Sequence, residues 1–327
     1  MNQITKNIAS LFLFFSLFGY ANPIPESGKE IVVGADNFKA YLPLLKNKKV
    51  GIVTNQTGIL TNKKHLVDFL VEKKIKIKTI FAPEHGFRGT ADAGEHVSDD
   101  IDQKTGLPIV SLYGKNQKPK PEQLEGIDIM VFDLQDVGTR LYTYVSTMHR
   151  IMEACAENNI PLIVLDRPNP NIAIVDGPVL DIAFKSGIGM HPTPLLHGMT
   201  LGEQAKMING EKWLKNGIQC KLTVIPCLNY DRSRSYSLPV RPSPNLPNDQ
   251  SINLYVSLCL FEGTNVSINS QSDFINEFDL RYEAPNSVRI SSDDNINVFV
   301  LNGSLDDYYA NSLTTTMAWR NDPWNDP

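Results

Sequence analysis

The sequence predicts an α/β protein, a Rossmann-like parallel sheet domain followed by a smaller α+β C-terminal domain. Three observations predict it. Short apolar runs recur between residues 49 and 165, amphipathic stretches separate them, and polar residues gather just past the end of each run. Runs that are apolar throughout mean strands buried on both faces, and the intervening helices supply the cover.

The elements follow in order. Residues 1–21 carry an apolar stretch, "IASLFLFFSLF", ahead of Gly19, Tyr20 and Ala21, and are expected to be a removed signal peptide. The stretch is short for a bilayer span, so an exported protein with no stable membrane anchor after cleavage is expected. "KVGIVTN" reads as the first strand, and "KKHLVDFLVEKK" as a helix with Leu66, Phe69 and Leu70 on one face. "IKIKTIFAP", "LPIVSLYG" and "GIDIMVFDLQD" are the next strands. A long helix is expected from Thr139 to Asn158, its apolar face formed by Leu141, Val145, Met148, Met152 and Cys155, with His149 in a packing or surface role. "IPLIVLDRPNP" closes the series, and "HGMTLGEQAKMING" opens a helix with Thr200 and Glu203 as a capping box.

At 327 residues the chain is long enough for two domains, placed at 30–215 and 218–327. Residues 228–250, rich in Pro, Ser and Asn, are expected to be ordered but irregular. Cys220 and Cys227 flank the strand "KLTVIP", and a disulfide between them is open in an oxidising compartment. Cys155 is expected to be a buried small hydrophobe.

Composition excludes some classes. Net charge is −5 and no Lys/Arg stripe forms, so no nucleic-acid partner is expected. No G-x-G-x-x-G follows a strand and no Walker loop is present, so no cofactor is called for.

Ligands of open parallel sheets bind beyond the carboxyl ends of the strands. Those ends carry Asn55 and Gln56, then Glu84 and His85, then Asp133, Gln135 and Asp136, then Asp166, Arg167 and Asn169. Pro83 ends its strand and Gly86 allows a sharp turn, which leaves Glu84 facing the crevice. Each of these residues is also open to a capping or loop role, and for Asp136, three residues before Thr139, capping is favoured. Glycoside hydrolysis needs a carboxylic acid for the leaving oxygen and a second group for the sugar cation. Glu84, beside an apolar strand, suits the acid if burial raises its pKa. His85, Asp92, His96 and Asp133 are the alternative, as metal ligands, although their spacing matches no strong ligand motif. His191 and His197 flank a proline-rich loop that is expected to line the cleft.

Seven segments, "APEHGFRG", "FDLQDVGTRLYTY", "VLDRPNP", "DGPVL", "HGMTLGE", "PSPNLP" and "LFEGTNVS", stand in this order between residues 82 and 267, within a likeness that covers about residues 30–267. In them the chain resembles the NamZ-type exo-β-N-acetylmuramidases, a bacterial family once known only as a domain of unknown function. The resemblance implies a cleft between two domains and release of N-acetylmuramic acid from the non-reducing end of peptidoglycan fragments. It implies Glu84 as the leading catalytic candidate and peptidoglycan-derived saccharides as partners. An arginine fork suits the sugar's lactyl carboxylate, with Arg88, Arg140 and Arg167 as candidates. Asp133 or Asn55 would orient the 2-acetamido group if that group were the nucleophile. "PSPNLP" and Glu262 are expected to supply a second wall. After residue 267 the chain departs from the family pattern, which keeps open a muropeptide-binding role without turnover and a metal-dependent wall hydrolase.

Overall fold

The computed structural model describes residues 29–84, 86–88, 99–114 and 116–259, together with three strands at 279–284, 287–291 and 297–301. The fully apolar runs become β1 (Lys49–Thr54), β2 (Lys76–Ala82), β4 (Pro108–Ser111), β5 (Ile129–Asp133) and β6 (Leu162–Leu165). With β3 (Asp100–Ile101) and β9 (Leu222–Ile225) they form a seven-stranded sheet in the order β3-β4-β2-β1-β5-β6-β9. All neighbours pair in parallel except β3, which runs antiparallel on the β4 edge. The six parallel strands therefore carry the doubly wound order 3-2-1-4-5-6, and the winding reverses between β1 and β5.

Side chains alternate across a strand, so each run feeds two cores. Val53, Met130, Phe132, Leu162 and Val164 face one layer, built with α4 (Tyr144–Glu157), α5 (Leu201–Gly210) and α6 (Asp249–Leu258). Val50, Ile52, Ile129, Val131, Ile163 and Leu165 face the other, with α1 (Phe38–Leu45) and α2 (Leu66–Glu72). The short α3 (Pro121–Leu124) leads into β5, and β7 (Val175–Asp176) pairs with β8 (Leu196–His197) in a small antiparallel ribbon. The capping box of α5 forms as expected, with the Thr200 hydroxyl accepting from the Glu203 N–H.

Three expectations are corrected. The residues placed at the start of a second domain supply β9, which pairs with β6 through Leu165 and Ile225. The Rossmann-like body therefore runs past 218 into α6, whose Ile252 and Tyr255 lie in the α4 core. The long helix begins at Tyr144 rather than Thr139, because Thr139 bridges Leu196 and the Arg140 N–H donates to the Leu195 carbonyl. The proposed disulfide fails on distance. Cys220 and Cys227 stand beyond opposite ends of β9, about 20 Å apart at a rise of about 3.3 Å per residue, and a disulfide spans less than about 7 Å. Both are free thiols, as is the buried Cys155.

In the C-terminal third, β10 (Asp279–Ala284), β11 (Ser287–Ser291) and β12 (Asn297–Leu301) make an antiparallel sheet in sequence order. Among the described residues no helix is long and apolar enough to cross a membrane. The expected signal peptide, and most of the segment after residue 267, lie outside the described residues.

Candidate active site

The strand ends gather on one rim, as doubly wound topology requires, but most of their polar groups bind one another. Asp133, fully buried at the end of β5, takes both arms of Arg167: Nε donates to Oδ1 at 2.6 Å and Nη2 to Oδ2 at 3.0 Å. Nη2 also donates to the Ile59 carbonyl at 3.0 Å, which ties the loop after β1 to the loop after β6. Asp166 turns inward to hold the start of α5, accepting from the Thr200 hydroxyl at 2.6 Å and the Gly202 N–H at 2.8 Å. Burial pushes its carboxyl up to about 6 in spite of these donors.

Amides do similar work. The Asn55 side-chain carbonyl accepts from the Thr57 N–H and hydroxyl, and its NH2 donates to the Tyr144 hydroxyl at 2.7 Å. Gln135 spans the carbonyls of Asp136 and Pro168, and Asn169 donates to the Met199 carbonyl. Gly138, at a φ of 86°, passes so close to the Asn169 side chain that a Cβ would overlap it. Asp133, Asp166, Asn55, Gln135 and Asn169 thus brace the rim.

Glu84 differs. It follows the end of β2, is half-buried, and faces two phenols. The Tyr113 hydroxyl donates to its carboxylate, and burial together with the Glu84 charge raises the Tyr113 phenol. Tyr144 also feels the Glu84 charge. Gly86 makes the turn after it with a φ of 73°. Close by in sequence order on the rim, Gln56 donates to the Pro242 carbonyl at 3.0 Å, so the "PSPNLP" segment is fastened to the loop after β1. The Gln56 Oε1 is buried without a partner among the described residues.

Asp136 and Arg140 hold further unspent polar atoms. Asp136 does not cap a helix, since its Oδ2 accepts from the Gly138 N–H at 2.8 Å in a tight turn. Its Oδ1 is buried without a partner among the described residues, and burial pushes the carboxyl up to about 7. His197 Nε2 lies 4.0 Å away, but burial and the Arg140 charge push that imidazole down to about 4, so it is neutral at pH 7. Arg140 donates through Nη1 to the carbonyls of Pro178 and Thr193, while its Nε is buried without a partner among the described residues.

Ionisation of Asp136 weakens the folded state. A carboxyl raised from 3.8 to about 7 contributes little at pH 4, where the folded state is protonated and the unfolded state is only about half ionised. It costs stability progressively up to about pH 7. Asp136→Asn is therefore expected to raise stability over the parent by about 2–4 kcal/mol at pH 8 and by little at pH 4. Urea unfolding at the two pH values checks this, and a pH-independent difference would count against a raised carboxyl.

Two of the three expected carboxylate-binding arginines are already occupied. Arg167 is held by Asp133, and Arg88 donates from Nε and Nη2 to Asp102, with Asp68 at 3.5 Å. Protein carboxylates fill both forks, and Arg140 alone of the three lacks a carboxylate partner among the described residues. His191 pairs with His149 at 2.9 Å and stacks on Trp213, and burial holds it down at about 3. His149 is buried rather than at the surface. Of the metal alternative, Asp133 is spent on Arg167, while His85, Asp92 and His96 lie outside the described residues, as does Glu262. The sequence reading missed Tyr113 and Tyr144, although the aromatic cluster "RLYTY" was a visible signal for Tyr144. It also missed His65, whose Nε2 meets the Asn55 carbonyl at 2.8 Å.

Fold and rim together define a doubly wound α/β protein with a braced ligand crevice and an accessible carboxylate at the end of its second strand. The chain belongs to the NamZ family, since the family model for the N-terminal part of exo-beta-N-acetylmuramidase NamZ matches residues 50–250. Over 233 residues it is 47% identical to the peptidoglycan beta-N-acetylmuramidase NamZ of Bacillus subtilis (strain 168), covering 69% of this chain and 55% of the relative. The chain thus spans about half the length of this curated relative. A crystal structure of a DUF1343 family protein from Bacteroides fragilis NCTC 9343 superposes with a TM-score of 0.66 at 46% identity, covering 80% of this chain and 67% of that one. A second DUF1343 family protein from the same organism gives 0.63 at 37% identity, covering 69% and 58%.

Proposed function

We propose that the protein is an exo-acting β-N-acetylmuramidase that releases terminal N-acetylmuramic acid from the non-reducing end of peptidoglycan fragments. The observation that carries this is the isolation of Glu84. Among the rim carboxylates it is half-open to the crevice, whereas Asp133 and Asp166 are buried and fully engaged. Glu84 serves as the acid that protonates the leaving oxygen, with Tyr113 fixing its orientation. Asp136, buried with a free oxygen, is the second carboxyl of the rim. Appearance of free N-acetylmuramic acid from the disaccharide MurNAc-GlcNAc tests the assignment. Binding of the disaccharide with no product would favour a muropeptide-binding protein instead.

Arg140 is the group that holds the lactyl carboxylate, because its Nε is buried and unspent. Arg140→Met is expected to lower kcat/KM for the muramic substrate about ten-fold or more, and to leave the matching N-acetylglucosaminide almost unaffected. Equal losses on both substrates would show a structural arginine. Export follows from residues 1–21, and the mass of the mature chain checks their removal.

A further inference from the structure

Between the loop after β4 and α4 lies a pocket of about 390 Å³, apart from the groups assigned above. Its walls bring Lys118 and Lys120, from the loop after β4, against Arg150 of α4 and Lys185 of the loop after β7. Glu153 is the acid in that lining. Lys118 is satisfied, with Glu153 at 3.1 Å and Glu157 at 2.8 Å. Among the described residues Lys120, Arg150 and Lys185 form no ion pair within 4.0 Å. Arg150 and Lys185 nonetheless sit close enough to His149 for both charges to act on it, although 35 residues separate them in the chain. Glu153 acts on Arg150 as well as on Lys118, so one carboxylate is shared between two cations while Lys120 and Lys185 add further positive charge, and an anion bound among them relieves their mutual repulsion.

One feature distinguishes between anions. Asn116 lines this pocket and donates its NH2 to the Ser111 carbonyl at 2.8 Å, while its Oδ1, buried at the wall, has no donor among the described residues. A fully ionised phosphate brings only acceptors, whereas a peptide-free muramic acid unit brings a carboxylate together with an acetamido N–H. The loop that supplies Asn116 and Lys118 also supplies Tyr113, which donates to Glu84. The lining of the pocket therefore begins three residues along the chain from Tyr113.

We propose that this pocket is a leaving-side subsite that takes the carboxylate and acetamido group of the next muramic acid along the glycan. The proposal rests on the muramidase assignment. In an alternating polymer the next carboxylate comes two sugars beyond the one removed, so the disaccharide MurNAc-GlcNAc cannot reach the pocket with a carboxylate. The tetrasaccharide MurNAc-GlcNAc-MurNAc-GlcNAc can.

The test compares kcat/KM for these two substrates in the full-length protein and in the Arg150→Met/Lys185→Met double variant. The parent is expected to favour the tetrasaccharide, and the ratio of the two values is expected to fall about ten-fold in the variant. The preference should also shrink with added salt, which screens the pocket. Equal values in the parent, or a ratio that survives the double substitution, would overturn the subsite while leaving the muramidase assignment standing. No hydrolysis of either substrate by the parent would overturn both. Chitotetraose, which has the acetamido groups but no carboxylate, should compete poorly for the tetrasaccharide site in parent and variant alike. Strong competition from it would also overturn the assignment of the cations.

Discussion

Glu84→Gln is expected to lower kcat for MurNAc-GlcNAc by about 10²–10⁴, the usual contribution of a positioned acid, with a small change in KM. The fold should survive. Glu84 is half-exposed, and glutamine keeps an oxygen that can accept from Tyr113. A leaving group that needs no proton separates the possible roles. With a nitrophenyl muraminide the deficit should shrink sharply if Glu84 is the acid, and persist if Glu84 attacks the sugar. Unchanged turnover of the disaccharide would remove Glu84 from the chemistry and, with it, the main support for hydrolysis at this rim. Far-UV circular dichroism and the urea midpoint, measured on the same samples, show whether any loss is one of chemistry.

The sheet was legible because its strands are buried on both faces. Val50, Ile52, Met130 and Val131 leave no polar side to confuse the pattern, and two cores need two apolar faces. β9 escaped its place because it is an edge strand with a half-covered face, Thr223 being exposed, and an irregular stretch follows it. The start of α4 was misplaced for a different reason. Leu141 and Val145 keep helical spacing, but a strand pairing 57 residues away, Thr139 with Leu196, claims the backbone first. Helical period is a weak prior wherever such a bridge competes.

At the rim, position was legible and role was not. Residue types that bind a sugar also bind one another, and the partners stand far apart in the chain. Asp133 and Arg167 are 34 residues apart, and Asn55 and Tyr144 are 89 apart. No local pattern carries such pairings. Glu84 stood out because its setting is local, a strand, a proline and a glycine. Tyr113 was passed over because a lone tyrosine after a strand looks like any half-buried aromatic.

The largest effect on stability is expected at Arg167, and it distinguishes a brace from a substrate ligand. Arg167→Met removes both bonds to Asp133 and the bond to the Ile59 carbonyl. It leaves the Asp133 carboxyl at 0% exposure with no counter-charge. Breaking a buried pair in this way typically costs about 3–5 kcal/mol, most of it the penalty of the stranded charge. For a body of this size that is a fall in Tm of about 6–20 °C. Removing the stranded charge as well should recover much of the loss, so Arg167→Met with Asp133→Leu is expected to be more stable than Arg167→Met alone. If Arg167 instead served to hold the substrate's carboxylate, the single change would raise KM and leave the urea midpoint in place. The geometry argues for the first outcome, because the planar fork of Arg167 is already matched to the two oxygens of Asp133. An incoming carboxylate would have to displace a partner that is fully shielded from water, and Arg140, with an unspent Nε, offers no such resistance.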